Sequence, residues 1–165
     1  MRAWFGFNTK QLVFAAVMGA AASAVRNLGL VIPVYGVFKL DPRWVFSLLG
    51  SCWCGPTLGF LCGLLASLHP GMLIDPIASP IPHMIVGLMS IVLKRRGKKR
   101  IWAVWLWPLT GIPSYYLVTS IFLPTLATLT LVIVLLFIGV ATASIAFFVG
   151  VIVERHAEAL VSKIS

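Results

Sequence analysis

The longest stretch of the chain without a charged residue is residues 101–153, IWAVWLWPLTGIPSYYLVTSIFLPTLATLTLVIVLLFIGVATASIAFFVGVIV. A helix needs about 20 apolar residues to cross a bilayer, so this stretch is long enough for two spans joined by a turn at Leu123-Pro124-Thr125. Its apolar residues run continuously and do not alternate with polar ones, which argues against the strands of a membrane barrel. The stretch therefore predicts two helices, over residues 101–122 and 127–153.

The rest of the composition agrees with a membrane protein. Of the 165 residues, 60% are hydrophobic and 10% are charged, whereas a soluble domain has about 25% charged residues. A second stretch, residues 44–93, has Asp75 as its only formal charge. Backbone groups in lipid must satisfy their hydrogen bonds internally, which leaves helices. We therefore expect a single all-α transmembrane domain over residues 1–165.

Helix boundaries follow from the proline and glycine positions. Asp41-Pro42 and Ser79-Pro80 are typical helix starts, and Gly55-Pro56 breaks the apolar stretch between them. Residues 31–40 and 69–79 are predicted to be irregular loops. Residues 9–30 are expected to be a retained first helix and not a cleaved signal, because Arg26 interrupts the apolar run. The predicted six-helix transmembrane bundle spans residues 9–30, 42–54, 56–68, 80–94, 101–122 and 127–153.

The basic residues predict an orientation. The net charge is +9, and six of the 13 basic residues fall within residues 94–100. With six helices and both termini cytoplasmic, ten basic residues lie inside and three lie outside, in agreement with the positive-inside rule. The charge therefore indicates cytoplasmic loops, and a nucleic-acid partner is not expected. The inside set is Arg2, Lys10, the six of residues 94–100, Arg155 and Lys163; the outside set is Arg26, Lys39 and Arg43.

Motifs for catalysis and energy coupling are absent from the sequence. It has no GxxxxGK[ST] phosphate loop, no HExxH and no GxSxG. Its acids are Asp41, Asp75, Glu154 and Glu158, which do not form a chain of intramembrane carboxylates. Cys52, Cys54 and Cys62 have no His or carboxylate neighbours at metal-ligand spacing. We expect no enzymatic activity, no cofactor and no metal.

The first helix carries two rows of small residues at four-residue spacing. Such rows let helices approach closely in lipid, where there is little hydrophobic attraction between them. Packing within the bundle explains one row, but two adjacent rows are wider than one neighbouring helix needs. We therefore keep both packing within the chain and docking of a partner protein open. The rows are Ala16, Ala20 and Ala24, and Ala15, Gly19 and Ser23.

Polar and aromatic residues gather at the predicted outer side. Ionisable groups at membrane depth are costly and usually functional, and His83 lies just inside an apolar helix. Asp41 is expected to cap a helix more than to bind a ligand, and Lys39 and Arg43 are expected to face water or lipid headgroups. Trp102, Trp105 and Trp107 are expected in an interfacial aromatic belt. The candidate substrate-binding residues are Tyr35, Lys39, His69, Asp75, His83, Tyr115 and Tyr116.

Three stretches resemble the substrate-binding S component of energy-coupling factor (ECF) transporters. They are TKQLVFAAVMGAAASAVR at residues 9–26, IPVYGVFKLDPRWVFSLLGSCWCGPTLGFLCGLLAS at 32–67 and PHMIVGLMSIVLKRR at 82–96. The second is similar to the family's pattern of an outer loop with a KLD-like turn, a helix, a Gly-Pro break and a Gly-rich third helix. The KLD turn at residues 39–41 resembles riboflavin-type members. The N-terminal His motif of the metal-ion members is absent.

The resemblance implies a function and a set of partners. It implies a vitamin-like small molecule bound near the outer face by the fourth to sixth helices and covered by the first loop. It also implies a transmembrane scaffold (T component) and two ATPase subunits, docked through Ala16, Ala20 and Ala24, in the multi-pass cell membrane of a prokaryote. Two other interpretations remain open: a non-catalytic membrane assembly or channel subunit, and a small membrane enzyme acting on lipid or isoprenoid.

Overall fold

The computed structural model describes residues 7–35, 38–68 and 73–162, and the side chains of these residues except 34–39 and 155–162. Within this part of the chain, six helices have twelve residues or more. They are α1 (Thr9–Asn27), α2 (Arg43–Cys54), α3 (Pro56–Ser67), α5 (Pro80–Arg95), α6 (Leu106–Phe122) and α7 (Leu129–Ser162). A short helix, α4 (Asp75–Ala78), precedes α5, and 3-10 turns cover Arg100–Trp105 and Pro124–Leu126. The predicted helical class is confirmed.

Local sequence explains several helix ends. Asn8 and Gln11 form a capping box at the start of α1, with Asn8 Oδ1 accepting a hydrogen bond from Gln11 N at 2.9 Å. Gly55, at φ +88°, separates α2 from α3, and Pro56 occupies the first position of α3. Gly97, at φ +68°, ends α5 in a left-handed turn that residues with a Cβ rarely adopt.

Two segments predicted to be irregular contain regular structure. Residues 31–40 include an antiparallel hairpin of β1 (Ile32–Tyr35) and β2 (Phe38–Leu40), in which Ile32 is opposite Leu40. The second segment, residues 69–79, includes the short helix α4. The 3-10 turn Arg100–Trp105 also replaces the first residues of the predicted fifth helix, and α7 continues beyond its predicted end to Ser162.

Glycines allow close packing among the helices. A Cβ on Gly59 would lie 2.7 Å from the carbonyl oxygen of His83, and one on Gly63 would lie 2.9 Å from its ring, so α3 and α5 approach through these two positions. A Cβ on Gly19 would lie 2.8 Å from Cβ of Leu65, which shows that α1 packs on α3 in the same way. This is the small-residue packing seen between membrane helices.

Contacts between helix ends define two ends of the bundle. At one end, Arg26 of α1 contacts Asp41 just before α2, next to the hairpin. At the other end, Lys99 contacts Glu154 of α7 and Arg100 contacts the carbonyl oxygen of Trp53 at the end of α2. We call these the hairpin end and the basic end.

The helices differ in their capacity to cross a bilayer. By length and composition, two segments of the described chain are long and apolar enough to cross a membrane. They are Asp75–Arg95, which comprises α4 and α5, and Leu129–Glu154 of α7. The two twelve-residue helices α2 and α3 are each only about 18 Å long. The hydrocarbon core of a bilayer is about 30 Å thick.

Large apolar side chains are exposed along the outside of the bundle. On α6, for example, Leu109, Leu117 and Ile121 are exposed, and on α1 Val13 and Val17 are exposed. Contiguous exposed apolar surface marks a region that contacts lipid or another protein. The apolar residues of this chain thus lie both in its core and on its periphery.

Candidate functional site

A cavity of about 360 Å³ opens between the hairpin end of α2 and the helices α6 and α7. Small-molecule sites in proteins have volumes of about 300–1,000 Å³ and are mostly apolar with a few polar groups. The cavity fits this description, because charged residues form one wall and apolar residues form the others. It is lined by Arg26, Asp41, Arg43, Trp44, Leu73, Ile74, Asp75, Trp107, Gly111, Ile112, Tyr115, Thr119, Phe122, Leu123, Leu126, Leu135 and Ile138.

The charged wall is a network of two Arg and two Asp side chains. Arg26 Nη1 donates to Asp41 Oδ2 at 2.8 Å, and Arg43 Nε lies 2.9 Å from the same oxygen. Arg43 Nη2 forms an ion pair with Asp75 Oδ2, and its Nη1 donates to the carbonyl oxygen of Ala66 at 3.0 Å. Arg43 therefore joins α2 to the end of α3 and to the start of α4.

This network is buried and balanced in charge. Asp41 is 2% exposed, Arg43 3% and Asp75 7%. A buried charge is tolerated when it is paired and hydrogen-bonded, whereas an unpaired one is strongly destabilising. Two positive and two negative groups are paired here, so they form a polar wall whose charges largely cancel.

An aromatic group lies next to this wall. The ring of Trp44 is 5.9 Å from that of Trp107 and 6.2 Å from that of Tyr115, between centroids, and the guanidinium carbon of Arg43 lies 4.2 Å from the Trp44 ring centroid. These distances are typical of aromatic pairs and cation–π contacts. The rings provide flat surfaces on which a planar ligand can stack.

The Tyr115 hydroxyl is a distinctive polar group of the site. Its oxygen is buried and makes no hydrogen bond of ordinary geometry with the described residues. It is nevertheless close enough to Asp75 and Arg43 to interact with both electrostatically. A buried hydroxyl normally has a partner, so the Tyr115 hydroxyl has hydrogen-bonding capacity that a ligand in the cavity could use.

The structure brings two of the predicted site residues together and separates others from them. Asp75 and Tyr115 both line the cavity. Tyr116, although next in the chain, is 37% exposed and does not line it. Tyr35 and Lys39 lie in the hairpin strands, but their side chains are outside the described part of the chain, as is the whole of His69.

His83 is fully buried on α5 and does not line the cavity. Its Nε2 lies 2.9 Å from Ser47 Oγ, and its Nδ1 lies 2.9 Å from the carbonyl oxygen of Ser79. Its ring packs against Trp44, 5.5 Å between centroids. The imidazole thus supports the helix that carries Trp44, and both of its nitrogens contact protein groups.

Two expectations for polar and aromatic residues are wrong. Arg43 does not face water or headgroups, because its guanidinium lies in the buried network. Trp107 is not in an exposed belt: it is 5% exposed and lines the cavity, whereas Trp102 is 54% exposed. Asp41 Oδ1 accepts a hydrogen bond from the backbone N–H of Arg43 at the start of α2 at 3.0 Å, as expected of a capping residue, while its Oδ2 pairs with Arg26.

The sequence contained a partial signal for the network. Arg26, Asp41, Arg43 and Asp75 are charges in or beside strongly apolar segments, and such charges are usually paired. Their pairing was not apparent, because Arg43 and Asp75 are 32 positions apart in the sequence.

The two small-residue rows of α1 lie on different faces. Ala15 and Gly19 are buried against the bundle and Ser23 is half-buried, so this row packs within the chain. Ala16, Ala20 and Ala24 are exposed. An exposed row of small side chains leaves a shallow surface that another helix can approach closely.

The arrangement is suited to binding an amphipathic small molecule. The paired charges and the Tyr115 hydroxyl supply polar groups to the lining, and most of the lining residues of α6 and α7 are apolar. Comparison with known proteins adds no assignment, since no protein-family model, curated protein or solved structure matches the chain.

Proposed function

We propose that the chain is the membrane-embedded substrate-binding subunit of an ECF-type importer, and that it captures a vitamin-like small molecule in the cavity at its hairpin end. The cavity is the observation that carries the proposal. It has the size of a ligand site, a polar wall of paired charges and an aromatic surface. The hairpin end would then be the outer face.

Insertion of all six long helices into the membrane is part of this proposal. The exposed apolar side chains of α1, α6 and α7 support it, because water would not solvate them favourably. The separation of charges supports it as well, since the basic residues 94–100 lie at one end and the paired network lies at the other. The short helices α2 and α3 would be accommodated by their flanking segments or by local bilayer adjustment.

The chain would depend on partner proteins for energy, since its sequence has no phosphate-binding loop. We assign docking to the exposed row Ala16, Ala20 and Ala24 of α1. Their small side chains would let a helix of a transmembrane scaffold approach closely, and the scaffold would connect the chain to two ATPase subunits. The buried row, Ala15 and Gly19 with half-buried Ser23, would hold α1 on its own bundle.

Native mass spectrometry of protein gently purified from the membranes of its native cells tests the proposal. The expected result is a small-molecule adduct on the chain together with a complex that contains two ATPase subunits. Protein without an adduct and without partners would contradict it and would favour the membrane assembly or channel alternative. A hydrolysed lipid or isoprenoid product in activity assays would instead support the membrane enzyme.

A further inference from the structure

A second surface with ligand-binding character lies at the basic end, far from the cavity. The basic turn, residues 94–99, contains Lys94, Arg95, Arg96, Lys98 and Lys99, and all five are exposed. The chain has four acids in all, and Asp41 and Asp75 are in the network at the opposite end. The basic turn therefore has a surplus of positive charge.

The backbone holds this turn in a defined conformation. Lys98 N donates to the carbonyl oxygen of Leu93 at 2.9 Å, and Gly97 N donates to that of Lys94 at 3.0 Å. These two bonds around a left-handed glycine form the Schellman motif. Arg96 and Lys98 therefore flank a fixed bend.

An apolar strip lies beside the basic turn. It consists of Trp102, which is 54% exposed, and of Phe148, Val151 and Ile152 on α7, which are also exposed. The last three follow the i, i+3, i+4 spacing of one helix face. The Trp102 ring is 4.8 Å from that of Phe147, which precedes Phe148 on α7, and Lys99 Nζ is 3.0 Å from Oε2 of Glu154, two residues after Ile152. These two contacts hold Trp102 and the basic turn against the part of α7 that carries the strip.

We propose that the basic turn and the apolar strip together bind an anionic phospholipid. The headgroup phosphate would contact Arg96 and Lys98, and the acyl chains would lie along Trp102 and α7. The apolar segment of α7 ends at Glu154, level with Lys99, which is where headgroups meet a membrane-spanning helix. A nucleic acid or an acidic protein would use the cations but would leave the strip uncovered. The inference needs α7 to cross the bilayer and does not depend on transport.

The test uses the purified full chain in a non-ionic detergent with equal amounts of dioleoyl phosphatidylglycerol and dioleoyl phosphatidylcholine. Native mass spectrometry measures the ratio of the two bound lipids. Since each surface cation attracts anionic lipid by about 1 kcal/mol, or about fivefold, we expect a preference for phosphatidylglycerol of about tenfold or more. Equal retention of the two lipids would overturn the proposal.

Variants locate the site. Arg96→Gln/Lys98→Gln, which leaves the Lys99–Glu154 pair intact, should remove most of the preference, whereas Lys10→Gln on α1 should keep it. Trp102→Ala should reduce retention of both lipids without changing their ratio. A preference that survives the double variant, an equal loss in Lys10→Gln, or unchanged retention in Trp102→Ala would each contradict the proposed site.

Two further measurements apply to the unmodified protein. Raised salt should lower the preference for phosphatidylglycerol, because screening weakens exposed charge interactions; a preference independent of salt would contradict the contact with Arg96 and Lys98. Excess sn-glycerol 1-phosphate, which has the charge without the chains, should not displace the lipid. Displacement would indicate a site for soluble phosphate compounds and would overturn the role of the apolar strip.

Discussion

Arg43 on α2 and Asp75 at the start of α4 form a buried ion pair at the wall of the cavity, although 32 positions of sequence separate them. The pair is a direct charged contact between α2 and α4. Arg43 also reaches the end of α3 through the carbonyl oxygen of Ala66. The shape of the cavity at the hairpin end therefore depends on this one guanidinium.

Replacement of Asp75 by Asn should strongly destabilise the protein. It would leave Arg26 and Arg43 with Asp41 as their only acid, and breaking a buried pair in this way costs about 3–5 kcal/mol. The free energy of unfolding, measured by denaturant titration in detergent micelles, checks the value. Lys98→Gln is the control, because Lys98 is exposed and a surface substitution usually changes stability by less than about 0.5 kcal/mol.

The double variant Arg43→Gln/Asp75→Asn should be more stable than the sum of the two single changes predicts. In the double variant Arg26 and Asp41 still balance each other, so no unpaired charge remains in the site. Additive effects would show that the two residues act independently, contrary to the ion pair.

The two faces of α1 should respond differently to a larger side chain. Gly19→Leu should destabilise the isolated chain by about 1–3 kcal/mol, because its Cβ would lie 2.8 Å from that of Leu65. Ala20→Leu, on the exposed face, should change stability by less than about 0.5 kcal/mol. Unfolding measurements on the purified chain compare the two variants.

The same Ala20→Leu variant should fail to co-purify with the proposed scaffold and ATPase subunits, as should Ala16→Leu, while both should still bind the proposed small-molecule ligand. The larger side chains would prevent close approach of a partner helix. Pull-down from membranes that contain all subunits measures assembly. Normal recovery of the complex would move the docking surface away from this row.

Tyr115 and Tyr116 provide a matched pair for the cavity. Tyr115→Phe should weaken ligand binding about fivefold, because the ligand would lose a hydrogen bond to the Tyr115 hydroxyl worth about 1 kcal/mol. Tyr116→Phe should have no effect, because Tyr116 lies outside the cavity. The measurement is the dissociation constant of the wild type and of each variant for the ligand that mass spectrometry identifies. Equal affinities in both variants would place the ligand elsewhere.

His83→Ala should act on stability more than on binding. The ring fills a fully buried space and contacts Ser47 and Ser79, so its loss should cost about 2–4 kcal/mol. Leu88→Ala on the same helix, at a 38% exposed position, should cost far less. A large loss of affinity in folded His83→Ala protein, with little loss of stability, would show that the imidazole contacts the ligand.

Much of the helix layout was predictable, because its signals are local. Asp41-Pro42 and Gly55-Pro56 act through capping and backbone restriction within a few residues, and α2 and α3 begin within one residue of the predicted positions. The hairpin was missed, since its strands are only four and three residues long and carry no clear alternation of polar and apolar residues.

The site was predictable only in part, because it depends on contacts between distant segments. The sequence identified Asp75 and Tyr115 as candidates, but it also offered His83, which is buried against Ser47 and Ser79, and Tyr116, which lies outside the cavity. Arg43 looks in sequence like a surface cation beside a helix start. Its burial follows from the position of Asp75, which no local pattern reveals.

Occupancy of the cavity can be tested by filling it. Ile112 lines the cavity on α6, whereas Leu109 on the same helix is 70% exposed. Wild-type protein, Ile112→Trp and Leu109→Trp would be purified in parallel, checked for equal melting temperatures, and compared by native mass spectrometry. We predict a small-molecule adduct on the wild type and on Leu109→Trp, and loss of that adduct from Ile112→Trp. An adduct that persists in Ile112→Trp, or no adduct on the wild type, would contradict the claim that this cavity is the binding site.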